Sequence, residues 1–237
     1  FPYQFLVYTD VASLAFGLIA TWLMVRKKWV LSSLVAALSV GLRQSNIVLL
    51  FMIALAALIE EDKSRPFKVW AGSYLRKTWL CAAGALAFAV FVYVNGGVAL
   101  GDRNAHKTGL HVANVYFALF LLSVVALPIV VEGVSRAWAR IVSPPFLAAL
   151  ALAYFVFMQW FKVEHPYNTF VPFLRTSVLT WASQNHLTMS LFFMPMALAL
   201  GGLYGTQLVA RSYWAFAPAS IIALLPDSLI EQRYALL

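Results

Sequence analysis

Charge is scarce in this sequence, and negative charge scarcer still. Asp, Glu, Lys and Arg make up 11% of 237 residues, whereas a water-soluble domain carries about 25%. With 62% hydrophobic residues and a mean hydropathy of +0.81, the chain cannot coat a soluble globule and reads as an all-α, polytopic transmembrane helical bundle. The single cysteine, Cys81, sits inside an apolar run, which excludes a disulfide framework and a thiolate metal site. The patterns G-x-x-x-x-G-K-[ST], H-E-x-x-H and G-x-S-x-G are all absent, so the sequence carries no signature of a phosphate loop, a zincin or a nucleophile elbow. His106 and His111 stand five apart, a spacing that does not align them on one helix face, and no metal or other cofactor is expected. The 9 acidic against 17 basic residues leave a net charge of +8. The basic residues gather at the ends of apolar runs, not along a stripe interleaved with base-stacking aromatics, so they read as an orientation signal and not as a nucleic-acid surface.

What is present is a succession of apolar runs with basic flanks. The run from Trp29 to Ile59 holds Leu42-Arg43-Gln44-Ser45-Asn46 at its middle. As one helix it would be about 31 residues and roughly 46 Å long, against a hydrocarbon core of roughly 30 Å. Arg26-Lys27-Lys28 precedes the run, and Lys63, Arg65, Lys68, Arg76 and Lys77 follow it. Both flanks therefore belong on the cytoplasmic side, which requires an even number of crossings. The sequence thus predicts two short spans, 29–42 and 47–59, with Arg43 to Asn46 at a non-cytoplasmic turn where water solvates the guanidinium. The same reasoning predicts spans at 11–25, 79–100, 112–131, 146–161, 187–210 and 213–225, about eight in all. It also predicts a cytoplasmic loop from Glu60 to Lys77 and an interfacial segment from Thr169 to His186. No repeat period or linker divides the chain, so 1–237 reads as a single polytopic domain. It begins at Phe1-Pro2 without an initiator Met and stops within its apolar pattern at Leu237, as a piece of a longer protein would.

This topology places the polar clusters on one face: Tyr8 with Asp10; Arg43, Gln44 and Asn46; Asp102 with His106 and His111; Glu164, His165 and Asn168; and Glu231, Arg233 and Tyr234. Each has a bland account, since interfacial Tyr and Asn anchor helices and Arg snorkels. Their convergence fits a surface-level cleft for a polar substrate better. A transporter or channel for a polar solute is the alternative, but carriers place ionisable groups in broken helices near mid-membrane and show a related second half. Here the charges lie at span ends, and the halves do not look alike.

The segments Phe5-Leu6-Val7-Tyr8-Thr9-Asp10-Val11-Ala12-Ser13, Leu42-Arg43-Gln44-Ser45-Asn46-Ile47-Val48, Asn95-Gly96-Gly97 with Gly101-Asp102-Arg103-Asn104-Ala105-His106 and His111, and Glu231-Gln232-Arg233-Tyr234 occur in this order. In that order they resemble the endoplasmic-reticulum dolichyl-phosphate-glucose α-1,2-glucosyltransferase family. After His165-Pro166 the chain continues Tyr167-Asn168-Thr169-Phe170 and lacks the family's Asp-Asn-Arg-His-Tyr run. The resemblance implies a multi-pass membrane glycosyltransferase of GT-C-like architecture with its active face in the lumen. It implies a dolichyl phosphate glucose donor, a lipid-linked oligosaccharide acceptor, a surrounding membrane lipid and no nucleic acid. It also implies an acidic luminal loop upstream of Phe1. For such a reaction Asp10 and Asp102 are the carboxylates within the chain that could act in catalysis. Tyr8, Arg43, Gln44, Asn46, Arg103, His106, His111, His165 and Arg233 are the candidates for substrate contact, and Lys107 is a further luminal cation. Arg43 and Arg233 rank first for phosphate, because guanidinium offers it a bidentate fork.

Overall fold

The computed structural model describes residues 9–98, 109–163, 168, 174–226 and 230. Among the described residues the secondary structure is helical throughout, without a strand. The chain divides into two compact units, residues 1–105 with 208–223, and residues 106–207 with 224–237.

In the first unit, helix α1 (Thr9–Val25) reverses tightly into α2 (Trp29–Leu42). Lys27 adopts a left-handed conformation, φ 57°, while its N–H bonds Met24 O and that of Lys28 bonds Leu23 O. This is the paired closure that ends many helices, made here by a lysine where glycine is usual. The strained residue faces a carboxylate: Lys27 Nζ lies 2.6 Å from Glu60, just beyond α3 (Ile47–Ile59). That ammonium is the main reason the Glu60 carboxyl titrates below the usual carboxylate range. A second pair, Lys77 with Glu61 at 2.5 Å, joins the same end to α4 (Phe67–Asn95). At the far end of the unit, Ser13 of α1 meets Asn46 in the turn between α2 and α3. So α2 leads away from the ion pairs and α3 returns to them.

Small and hydroxyl side chains let these helices approach closely. Ser32 Oγ donates to Ala20 O at 2.7 Å, tying α2 to α1. Ser33 and Cys81 lie 3.0 Å apart where α4 crosses α2. Ala20, Ala36, Ile53, Ala56 and Ala57 are fully buried along the seam. The 3-10 turn Arg211–Ala215 packs on α3 and is followed by α10 (Phe216–Leu224).

The second unit is built on aromatic rings. Its helices are α5 (Ala113–Val125), α6 (Leu127–Ile141), α7 (Pro144–Trp160), α8 (Leu174–Ala182) and α9 (His186–Gly205). Phe157 sits at the centre, its ring centroid 5.1 Å from Tyr116, 4.7 Å from Phe161 and 5.3 Å from Phe193. Helices α6 and α9 touch backbone to backbone, and a Cβ added at Gly133 would stand 2.3 Å from Gly202 O.

The two short helices expected around Arg43 are present with the predicted bounds. Several other expectations are corrected. The chain from Glu60 to Lys77 is not all loop, since α4 already begins at Phe67 and carries Lys68, Arg76 and Lys77 on its first turns. Lys and Arg are good helix formers, so charge marks the membrane boundary without ending the helix. The apolar run 112–131 is not one straight span: α5 and α6 meet at a 95° bend around Ala126. Pro128 is the cause, because its ring and missing N–H are tolerated in a first helical turn but not in a helix interior. The expected span 213–225 is a 3-10 turn and a nine-residue helix. Among the described residues, only α4 and α9 are individually long and apolar enough to cross a membrane, and the bent α5–α6 pair makes a third if taken as one broken span.

Candidate functional site

Arg43 directly follows the last residue of α2, at the end of an apolar helix where water can solvate its guanidinium. Its backbone is extended, φ −151° and ψ 123°, while its N–H still donates to Ser39 O at 3.0 Å. Gln44, Ser45 and Asn46 then form a single 3-10 turn, closed by Asn46 N–H donating to Arg43 O at 3.0 Å. The next residue, Ile47, opens α3. Arg43 and Gln44 are half-buried and Ser45 is exposed.

Asn46 differs from its neighbours. It is buried, and its amide is committed inside the protein: Nδ2 donates to Ser13 Oγ at 2.8 Å and to Ser39 O at 3.0 Å, and Oδ1 accepts from Ser13 Oγ at 3.1 Å. Ser13 and Ser39 have no exposed surface. The amide therefore joins the first turns of α1, the last turn of α2 and the start of α3 just behind Arg43. Ser13 and Ser39 are participants that sequence reasoning missed. Their only signal was that each lies within a turn of a polar cluster on an otherwise apolar helix. Asp10 lies on the first turn of α1, at this same end of the unit. Asn95, which closes α4 and donates to Gly97 O at 2.8 Å, lies at that end too, since α4 starts beside Glu61.

In the second unit the chain around His111 pairs with the chain after α10. Gly109 N–H donates to Pro226 O at 3.1 Å, and His111 N–H donates to Leu225 O at 2.8 Å. The half-buried His111 ring folds back over Gly109, where an added Cβ would stand 2.7 Å from Nε2. Asn168 and Ile230 also meet in this unit, both fully buried. The Asn168 amide donates to Ile230 O at 3.2 Å and accepts from Ile230 N–H at 3.1 Å. Gly109, His111, Asn168 and Ile230 are thus each held by a hydrogen bond to the chain within one unit. The remaining candidates Tyr8, Asp102, Arg103, His106, Lys107, His165 and Arg233 lie outside the described residues. Among the described residues there is no group of three or more His, Cys, Asp or Glu that could hold a metal ion.

Chemically, the end of the first unit that carries Arg43 offers a guanidinium, a carboxamide at Gln44 and an exposed hydroxyl at Ser45, on a turn braced from behind. Such a set can hold an anionic oxygen in a fixed place. Comparison with known proteins gives a family match over residues 1–237, to the DIE2/ALG10 family. Among relatives, a Candida albicans protein named Dol-P-Glc:Glc(2)Man(9)GlcNAc(2)-PP-Dol alpha-1,2-glucosyltransferase is 26% identical over 99% of this chain and 56% of its own length. Proteins of the same name from Arabidopsis thaliana, 25% identical over 98% of this chain and 61% of their own, and from Rattus norvegicus, 26% identical over 68% and 35%, are also similar. The chain thus spans 56% of the Candida protein and 61% of the Arabidopsis one. No solved structure matches.

Proposed function

Because the chain belongs to the DIE2/ALG10 family, we propose that it is part of a membrane glucosyltransferase that moves glucose from dolichyl phosphate glucose to a lipid-linked oligosaccharide. The link formed is α-1,2. The acceptor hydroxyl attacks the anomeric carbon, the bond from that carbon to the phosphate oxygen breaks with inversion, and dolichyl phosphate leaves with one more negative charge. A carboxylate takes the acceptor proton. Groups that meet the growing phosphate charge lower the barrier. We assign the phosphate to Arg43, with Gln44 beside it. Asp10 is the carboxylate on the same end of the unit, and Asp102 the other candidate base. Tyr8, Arg103, His106, His111, His165 and Arg233 are proposed to line the sugar and oligosaccharide. Asn46 supports the site through its hydrogen bonds to Ser13 and Ser39.

The observation that carries this reading is the placement of Arg43 on a braced turn between two antiparallel helices, at the end of the unit away from its ion pairs. A prenyl-linked phosphate waits at headgroup depth, which is where a helix-ending guanidinium belongs. The same reading makes this a multi-pass, GT-C-like enzyme of the endoplasmic reticulum membrane with its active face in the lumen. The test is transfer of label from radiolabelled dolichyl phosphate glucose to the lipid-linked oligosaccharide by membranes holding the full protein. Transfer that depends on Arg43 supports the assignment. Absence of label in the oligosaccharide, with the protein folded and both lipids supplied, overturns it.

A further inference from the structure

At the end of the first unit opposite Arg43, a shallow, largely open cleft of about 580 Å³ lies between the α1–α2 turn and α4. Lys27, Lys28, Arg76 and Lys77 line it together with Val30 and Leu31. The three carboxylates near this end are already engaged, Asp62 by Arg65 at 3.2 Å. Glu60 holds Lys27, and Glu61, its side chain 6% exposed, holds Lys77 and accepts from Ser73 Oγ at 3.2 Å. Among the described residues no carboxylate stands within ion-pair distance of Lys28 or Arg76, so the cleft keeps a net positive charge. Beyond the phosphate function assigned to Arg43, we propose that this cleft binds the headgroup of an anionic glycerophospholipid, with the phosphate between Lys28 and Arg76 and an acyl chain over Val30 and Leu31.

Two features select a lipid over a soluble anion. The first is depth. Arg76-Lys77 immediately precede the apolar stretch of α4, the helix long enough to span, and Lys27-Lys28 immediately precede α2. Cations on neighbouring helices thus stand at one level, where polar sequence gives way to apolar. Trp79, 55% exposed, and Trp22, with Arg26 over its ring at 5.6 Å, mark the same level. Indole rings favour the headgroup region of a bilayer. The second feature is the shape of the wall. Val30 and Leu31 are exposed on the membrane side of the cations, so the site continues from charged to apolar along the direction a phospholipid runs. Neither a free phosphate nor an acidic peptide would use that apolar continuation.

The test is native mass spectrometry of the full protein in detergent, offered phosphatidylglycerol and phosphatidylcholine in equal amounts, with inorganic phosphate as competitor. The expected result is preferential retention of phosphatidylglycerol that millimolar phosphate does not displace. In the Lys28→Gln/Arg76→Gln variant that retention should fall by roughly tenfold to thirtyfold, from the loss of two juxtamembrane cations. Lys28→Arg/Arg76→Lys, which keeps both charges, should retain the lipid, and Lys28→Gln alone should show an intermediate loss if the double variant fails to fold. Equal retention of both lipids, unchanged retention in the charge-removing variants, or displacement by phosphate alone would each overturn the proposal.

Discussion

Ser13 and Asn46 are 33 positions apart in sequence and are bonded to each other in both directions, Asn46 Nδ2 to Ser13 Oγ at 2.8 Å and Ser13 Oγ to Asn46 Oδ1 at 3.1 Å. Both are buried. The pair fixes where α1 passes the turn that presents Arg43. Because Asn46 Nδ2 also reaches Ser39 O, removing the amide disturbs three elements at once.

Asn46→Ala should therefore destabilise the protein by about 1–3 kcal/mol, the cost of leaving buried polar groups without their partner. Ser13→Ala should cost less, because Asn46 keeps Ser39 O. In the double variant the losses should not add, since the two side chains share one interaction. Thermal unfolding of the four proteins in one detergent checks this. Additive losses would show that the pair is not coupled.

Arg43→Lys keeps the charge and its interfacial solvation but replaces the planar fork with a point charge. Folding and insertion should be nearly unchanged. Glucosyl transfer should lose about 2–4 kcal/mol of transition-state stabilisation, roughly 30- to 1,000-fold in rate. Arg43→Gln should be at least as severe. Transfer rates at matched expression decide the point, and full activity in Arg43→Gln would move the phosphate assignment to Arg233.

Gly133→Ala places a methyl 2.3 Å from Gly202 O, and that atom is backbone, so α6 and α9 must separate. A loss of roughly 1–3 kcal/mol is expected from overpacking. The same change at Gly72, where an added Cβ meets nothing within 4 Å, serves as control and should be nearly silent. Unfolding midpoints of the two variants provide the comparison.

Ser45 and Ser64 are both exposed and lie at opposite ends of the first unit, because Glu60 is bonded to Lys27 while Asn46 is bonded to Ser13. Cysteines introduced at the two positions should react with an impermeant thiol reagent from opposite sides of the membrane, Ser45→Cys from the lumen and Ser64→Cys from the cytosol. Cys81, 4% exposed, should stay silent. Labelling of both from the same side would refute the paired-helix topology.

The helices on either side of Arg43 were legible without coordinates, since a polar break in a run too long for the bilayer leaves an apolar chain little choice. The basic flanks likewise foretold that Lys27 and the segment after Ile59 share one end, where Glu60 now meets Lys27. Pro128 was the visible warning of the break at Ala126, but hydropathy alone ran straight through it, because both helices beside the bend are rich in apolar residues. The start of α4 is hidden for the opposite reason: a charged stretch reads as loop, although lysine and arginine sit well in a helix that projects beyond the apolar layer. Composition and order thus determined that the chain is helical, that its helices carry charge at their ends, and that Arg43 ends one of them. Only the tertiary structure decided that Asn46 turns inward to Ser13 while Arg43 is held at the turn, and that Asn168 meets Ile230. Hydrogen bonds between residues far apart in the chain depend on which faces pack together, and a polar side chain at a helix end carries no mark of its partner in its own sequence neighbourhood.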